Sequence, residues 1–256
     1  MKIVRLLILA LFLTLFLTPD AIASPSREVF IPSTDSMDFL KIRGDLITYF
    51  RSSPDKKAVQ GPLASSGDRD PGIILLGGSV GVLPFDTVRG EIGIEYTGSG
   101  ADVAESSPVT FNVKVSIPQE AICRYFPGLA VGMYNIGSNT GETNQDIAYG
   151  LISYQFLLGK FTAGGYRGEK GALGGDGSIK YGVLAAWHRT LVEFSNRLWV
   201  GADYMGGKNI NSSVNFGVAW AISKNASVMG GYNLHTDRNF SGTDTIMIRA
   251  SYLLPW

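Results

Sequence analysis

The feature that most constrains this chain is alternation with a period of two. Across Val109–Ile117 the odd positions are Val, Phe, Val, Val and Ile, and the even positions are Thr, Asn, Lys and Ser. In an extended strand these two sets point to opposite faces. Ile92, Ile94 and Tyr96 alternate in the same way with Glu91, Gly93 and Glu95, as do Val214, Phe216, Val218 and Trp220 with Asn215, Gly217 and Ala219. A helix cannot use such a pattern, because its faces repeat every 3.6 residues.

The pattern predicts about twelve strands, near 39–50, 73–83, 90–97, 108–117, 128–136, 147–157, 160–167, 180–188, 198–205, 213–221, 226–234 and 244–254. Most are near the ~9–11 residues needed to cross a bilayer at a tilt. Their second face is unusual. A soluble half-buried sheet puts strong charge on its wet side, whereas here that side carries mostly Gly, Ala, Ser, Thr and Asn. Charged residues make up 17% of the chain and glycine 32 of 256 residues, against usual shares of about 25% and about 7%. Low charge suits a surface that meets lipid. The expected fold is therefore all-β: a single antiparallel up-and-down transmembrane β-barrel over residues 24–256.

The connectors sort into two classes. After the odd strands they are long and polar (51–70, 98–107, 137–146, 168–179, 206–212 and 235–243). After even strands several are tight, at 84–87, 158–159 and 222–225, but 118–127 and 189–197 are longer and partly apolar, readable as strand extensions or small turns of helix. Long loops at one end and short turns at the other is the asymmetry of an outer-membrane barrel. Residues 1–23 read as a Sec-type signal peptide: Lys2 and Arg5, an apolar run from Leu6 to Leu17, Pro19, then Ala21-Ile22-Ala23, with cleavage expected before Ser24. The expected location is the bacterial outer membrane.

The chain ends Tyr252-Leu253-Leu254-Pro255-Trp256. Ile248, Ala250, Tyr252, Leu254 and Trp256 resemble the C-terminal strand signal of bacterial outer-membrane barrels, and the resemblance implies the barrel-assembly machinery as a partner. Two residues depart from that signal: Trp replaces the commoner Phe, and Pro255 has no ladder donor. Gly132-Met133-Tyr134-Asn135-Ile136-Gly137, Ala186-Trp187-His188-Arg189-Thr190, Leu198–Tyr204, Phe216–Ala221 and Ala226–Tyr232 resemble an uncharacterised, porin-like family of Gram-negative outer-membrane β-barrel proteins. That resemblance implies fold and location and says nothing of a substrate.

Chemistry is sparse. The net charge is zero, against the basic face that nucleic acid requires. One cysteine, Cys123, excludes an intramolecular disulfide and a Cys-cluster zinc site; the sequence leaves open whether it is buried or pairs with another chain. The only histidines, His188 and His235, lack the His-x-Ser spacing of outer-membrane phospholipases. The glycine-rich run 168–177 lacks the Gly-Lys-Ser/Thr ending of a phosphate loop. Asp146, Glu142, Asp176, Asp237 and Asp244 form no calcium ladder. No catalytic residue, metal or cofactor is expected. Aromatics towards strand ends, Tyr96, Tyr154, Trp187, Trp199, Tyr204, Trp220, Tyr232, Tyr252 and Trp256, suit interfacial girdles.

The informative charges are those parity sends inward: Lys41, Arg43 and Asp45 on the first strand, Glu91 and Glu95 on the third, Lys114 on the fourth, Asp203 on the ninth and Arg249 on the twelfth. Facing lipid at mid-depth, a Lys or Arg would cost about 2–4 kcal/mol. Such charges either select small solutes in a narrow channel or pair and hold the lumen shut. The expected partners are outer-membrane lipid and small solutes. The first reading is a non-enzymatic narrow channel, the second a closed structural or surface-interaction barrel, and the third a lipid- or lipopolysaccharide-modifying enzyme. The sequence does not specify an oligomeric state.

Overall fold

A computed structural model describes residues 26–52, 73–99, 109–137, 144–169, 173, 181–236 and 243–255. The signal-peptide segment 1–23, Trp256 of the C-terminal signal, Glu142, Asp176, Asp237 and most of the glycine-rich run lie outside them.

Twelve strands follow in chain order: β1 (Ile42–Arg51), β2 (Ile73–Gly81), β3 (Arg89–Ser99), β4 (Val109–Ile117), β5 (Gly128–Gly137), β6 (Ile147–Phe156), β7 (Gly159–Arg167), β8 (Tyr181–Thr190), β9 (Leu198–Met205), β10 (Ser213–Ala221), β11 (Ala226–His235) and β12 (Thr245–Leu253). Each pairs antiparallel with its sequence neighbours, and β1 pairs with β12 to close the barrel. In the closing register Ile47 lies opposite Arg249 and Asp45 opposite Ser251. Closure leaves no unpaired sheet edge.

The alternation resolves into an outside and an inside. On β10, Phe216, Val218 and Trp220 are exposed while Ser213, Asn215 and Ala219 are buried. On β12, Ile246, Ile248 and Tyr252 are exposed while Thr245, Met247 and Arg249 are buried. Leu254, just past β12, is also exposed, and its amide donates to the Ile42 carbonyl, so the seam extends one residue beyond the strand. Pro255 follows the last paired residue, where a missing donor costs nothing.

Two short-end connectors are plain turns. Segment 118–127 bends through left-handed Glu120 (φ 63°) and Tyr125 (φ 69°), with Phe126 N bonded to Cys123 O. In 191–197 the amides of Phe194 and Ser195 both reach Leu191 O, one tight turn. Neither extends a strand. Trp199 departs from the girdle expectation: it is buried, in an inner cluster with Ile47, Met229 and Met247. It shares parity with inward Asp203 on β9, so alternation outranks its aromatic character.

The first strand starts later than the pattern predicts. Residues 39–41 form a turn in which Leu40 is left-handed (φ 61°) and Lys41 N bonds Asp38 O. Lys41 therefore precedes β1 and is half-buried at its entrance, a correction to its place on the first strand. Before that turn the chain runs inside the barrel. An eight-stranded barrel can be filled by its own side chains; twelve strands enclose more room, and residues 26–37 occupy it.

Candidate functional site: the occupied lumen

The site is the barrel interior and the segment it holds. Residues 26–33 form a tight hairpin: Glu28 N donates to Ile31 O at 2.9 Å, Ser33 N to Ser26 O at 3.1 Å, and Arg27 bridges Pro32. Val29 enters the apolar cluster of Ile47, Tyr49, Met229 and Met247 on one side. Ile31 enters that of Tyr149, Leu151, Leu184 and Met205 on the other, and Phe30 packs against both.

Contact with strands around the whole circumference places the hairpin inside. On β3, Glu95 takes Arg27 Nη2 at 2.6 and 2.8 Å. Burial opposes the Arg27 charge, but the Glu95 carboxylate outweighs it and holds the guanidinium above its ordinary pKa. Glu91 accepts Ser26 Oγ and, at 2.9 Å, Met37 N. On β4, Lys114 bonds Asp35 O and lies 3.7 Å from Glu91, and Ser116 Oγ bonds Ser36 Oγ at 2.8 Å. On β6 and β7, Ser153 Oγ meets Thr34 Oγ1 at 2.6 Å and Lys160 Nζ meets Asp35 Oδ1 at 2.6 Å. On β8, His188 Nδ1 bonds Glu28. On β9, Asp203 Oδ2 accepts the amides of Phe30 and Ile31 at 2.7 and 3.1 Å, while Asn215 of β10 donates to Oδ1 at 2.7 Å. On β12, Arg249 Nη2 donates to Glu28 O at 2.8 Å.

Of the charges singled out by parity, Arg43, Asp45, Glu91, Glu95, Lys114, Asp203 and Arg249 thus line the interior around this segment. Arg43 Nε bonds Asp45 Oδ2 at 2.8 Å, and Ser251 Oγ bonds Asp45 Oδ1 at 2.6 Å, so this pair is held within the wall. Most of the others reach across to the hairpin. Besides paired wall charges, this lumen holds a separate length of chain.

The periodic pattern missed that length, because a hairpin held by side chains has no strand alternation. Its signal is a mixed run, Arg27, Glu28, Pro32, Asp35 and Asp38, too long for a simple tail before the first strand. Lys160 was reachable by parity, since it shares a face with Thr162 and both are buried.

The root of the segment is tightly fitted. Leu40 N donates to Gly81 O and Gly81 N to Lys41 O. A Cβ on Gly81 would lie 2.0 Å from Asp38 O, so only glycine allows this approach. At the opposite end the β9–β10 connector bonds to neighbouring elements. Asn209, from the β9–β10 connector, donates Nδ2 to Tyr166 Oη at 2.6 Å, and Asn211 Nδ2 reaches Gln145 Oε1 at 2.9 Å.

The His188 ring binds Glu28 and lies 5.5 Å from the Trp199 ring. At His235 the backbone amide donates to Asp244 Oδ1, while the ring Nδ1 is buried without a hydrogen-bond partner among the described residues. Among the described residues no group of three His, Cys, Asp or Glu is disposed to hold a metal ion.

No protein-family model matches the chain, and no curated protein matches it. Its fold is that of outer-membrane β-barrel proteins. An outer membrane channel from Pseudomonas putida F1 aligns over 89% of this chain and 100% of its own, with a TM-score of 0.50 at 9% identity. Neisserial surface protein A aligns over 85% of this chain and 97% of its own, with a TM-score of 0.24 at 11% identity.

Proposed function

We propose that the protein is an outer-membrane channel for small solutes, held shut by its own residues 26–40 and opened when they withdraw. The observation that carries this reading is the way the segment is held. Among the described residues it is continuous with the wall at its β1 end, and beside the buried Val29, Ile31 and Met37 it is cross-linked to the wall by many ion pairs and hydrogen bonds. Here, withdrawal returns Glu95, Lys160, His188 and Asp203 to a water-filled lumen, where they are resolvated, so the desolvation that makes a buried orphan charge costly does not arise. The main opposing term is re-exposure of Val29, Ile31 and Met37, about 1.5–3 kcal/mol each, with a smaller share from partly buried Phe30. The balance suits a plug that a modest force or ligand displaces. The wall charges are of both signs, which fits weak selectivity among solutes.

This reading includes export by a signal peptide over 1–23 and folding by the barrel-assembly machinery through the C-terminal strand. The polar loops then face outward and the short turns face the periplasm.

Planar-bilayer recording tests the channel. The full protein should conduct little, and a protein lacking 26–40 should conduct steadily, with barrel integrity checked by heat-modifiable gel mobility. Ohmic silence of the intact, shortened barrel would remove the channel reading. The second reading, a closed surface-interaction barrel, would then stand on the cover formed by Tyr166, Asn209, Asn211 and Gln145 at the long-loop end.

A further inference from the structure

The short-turn end of the barrel is unexpectedly apolar. Exposed large hydrophobic residues occupy all five turns there: Phe85, Ile122, Leu157 and Leu158, Phe194, and Ile222. Leu157 is 92% exposed and Phe194 83%. A turn projecting into water gains nothing from such residues.

The backbone of these turns is satisfied from within. Trp187 Nε1 donates to Leu158 O at 2.9 Å. In the β4–β5 turn, Glu120 N reaches Phe126 O and Ala121 N reaches Pro118 O. In the β10–β11 turn, Ser223 Oγ accepts the amides of Asn225 and Ala226, and Asn225 Nδ2 donates to Leu253 O. Internal satisfaction is what a backbone needs where water is scarce. The apolar tips also continue the lipid-facing wall: Phe156 and Phe161 flank the Leu157–Leu158 turn with ring centroids 5.8 Å apart. Among the tips lie exposed Arg124, Arg197 and Lys224, together with exposed Asp86, Glu120 and Glu193, the last paired with Arg189, and Arg124 stacks on the Tyr125 ring at 4.9 Å.

We propose that this rim is a phospholipid-binding collar, sunk in the leaflet at the short-turn end, with its basic side chains on anionic headgroups. The inference rests on the reading that the barrel spans a membrane. Continuity with the lipid-facing wall favours lipid over a soluble protein partner. Interfacial aromatics and basic residues are the expected anchors at such a depth, and each basic side chain at an anionic surface favours association by about fivefold.

The single cysteine supplies the probe, because Cys123 is exposed within the collar. The full protein is labelled there with bimane and reconstituted into phosphatidylethanolamine–phosphatidylglycerol bilayers containing lipid spin-labelled near the headgroup. Quenching of intrinsic tryptophan by mid-chain spin label reports separately whether the barrel is in the bilayer. The collar predicts bimane quenching at least as strong as that of tryptophan. It also predicts stronger quenching by spin-labelled phosphatidylglycerol than by phosphatidylcholine, a difference abolished in R124Q/R197Q/K224Q. Quenched tryptophan with an unquenched, water-like bimane overturns the collar and leaves the barrel standing. Equal quenching by the two headgroups in the unsubstituted protein overturns the anionic preference. Unquenched tryptophan overturns the membrane reading itself.

Discussion

Arg27 of the lumen hairpin and Glu95 of β3 form an ion pair at 2.6 Å, joining the first described turn of the chain to a strand 68 residues away. Glu95 is well shielded and Arg27 is partly open to solvent. A charge-assisted bond of this kind contributes about 1.5–3 kcal/mol, lowered here toward about 1 kcal/mol by the solvent at Arg27. E95Q should therefore raise the open fraction about fivefold in single-channel recording. The swap R27E/E95R should restore closure. An E95Q open probability equal to that of the parent would show that this pair does not hold the plug.

Asp203 binds the hairpin differently, through two consecutive backbone amides, those of Phe30 and Ile31. Changing the hairpin's side chains cannot relieve a loss there. On the proposed gating, D203A strands both amides in the closed state but not in the open one, where water reaches them. The expected shift toward opening is larger than for E95Q, about 1.5–3 kcal/mol. Protease added from the short-turn side should cut 26–40 faster in D203A than in the parent. Equal cleavage rates would assign Asp203 to the wall alone.

Gly81 offers a way to release the plug without touching a lumen charge. Any side chain there meets the Asp38 backbone at 2.0 Å, and the turn at 38–41 must shift. G81V should keep the heat-modifiable barrel, because Gly81 is the last residue of β2, and should show raised conductance and faster cleavage of 26–40. A G81V protein that stays shut would mean that the root can move while the hairpin remains seated.

Much of this was legible in the sequence, and what was not has a physical cause. Period-two alternation carries the strands because each buries one side against a lumen and turns the other outward, so β10 and β12 could be read residue by residue. The wall charges Arg43, Glu91, Lys114 and Arg249 followed from the same parity. Their partners did not. Glu28 sits 221 residues from Arg249 and 160 from His188, and such pairings depend on closure of the whole barrel. Trp199 was misread because aromatic character was weighed above parity. Lys41 was misread because a left-handed Leu40 delays the start of the first strand to Ile42, a conformation the sequence does not advertise.

The assignment of faces is itself open to test on one strand. Val218 is 54% exposed on the outer face of β10, and its neighbour Ala219 is buried inside. If the outer face meets lipid, V218R places a guanidinium against hydrocarbon near mid-strand. It should then cost about 2–4 kcal/mol in reversible urea unfolding from bilayers. In detergent micelles, where water and headgroups reach the side chain more readily, the cost should shrink. A219S, one residue away, adds only a hydroxyl on the lumen side. It should leave bilayer stability within about 1 kcal/mol of the parent, with its effect appearing in conductance. A V218R protein as stable as the parent in bilayers would contradict the lipid-facing assignment of β10. A cost as large in micelles as in bilayers would point to packing against protein on that face.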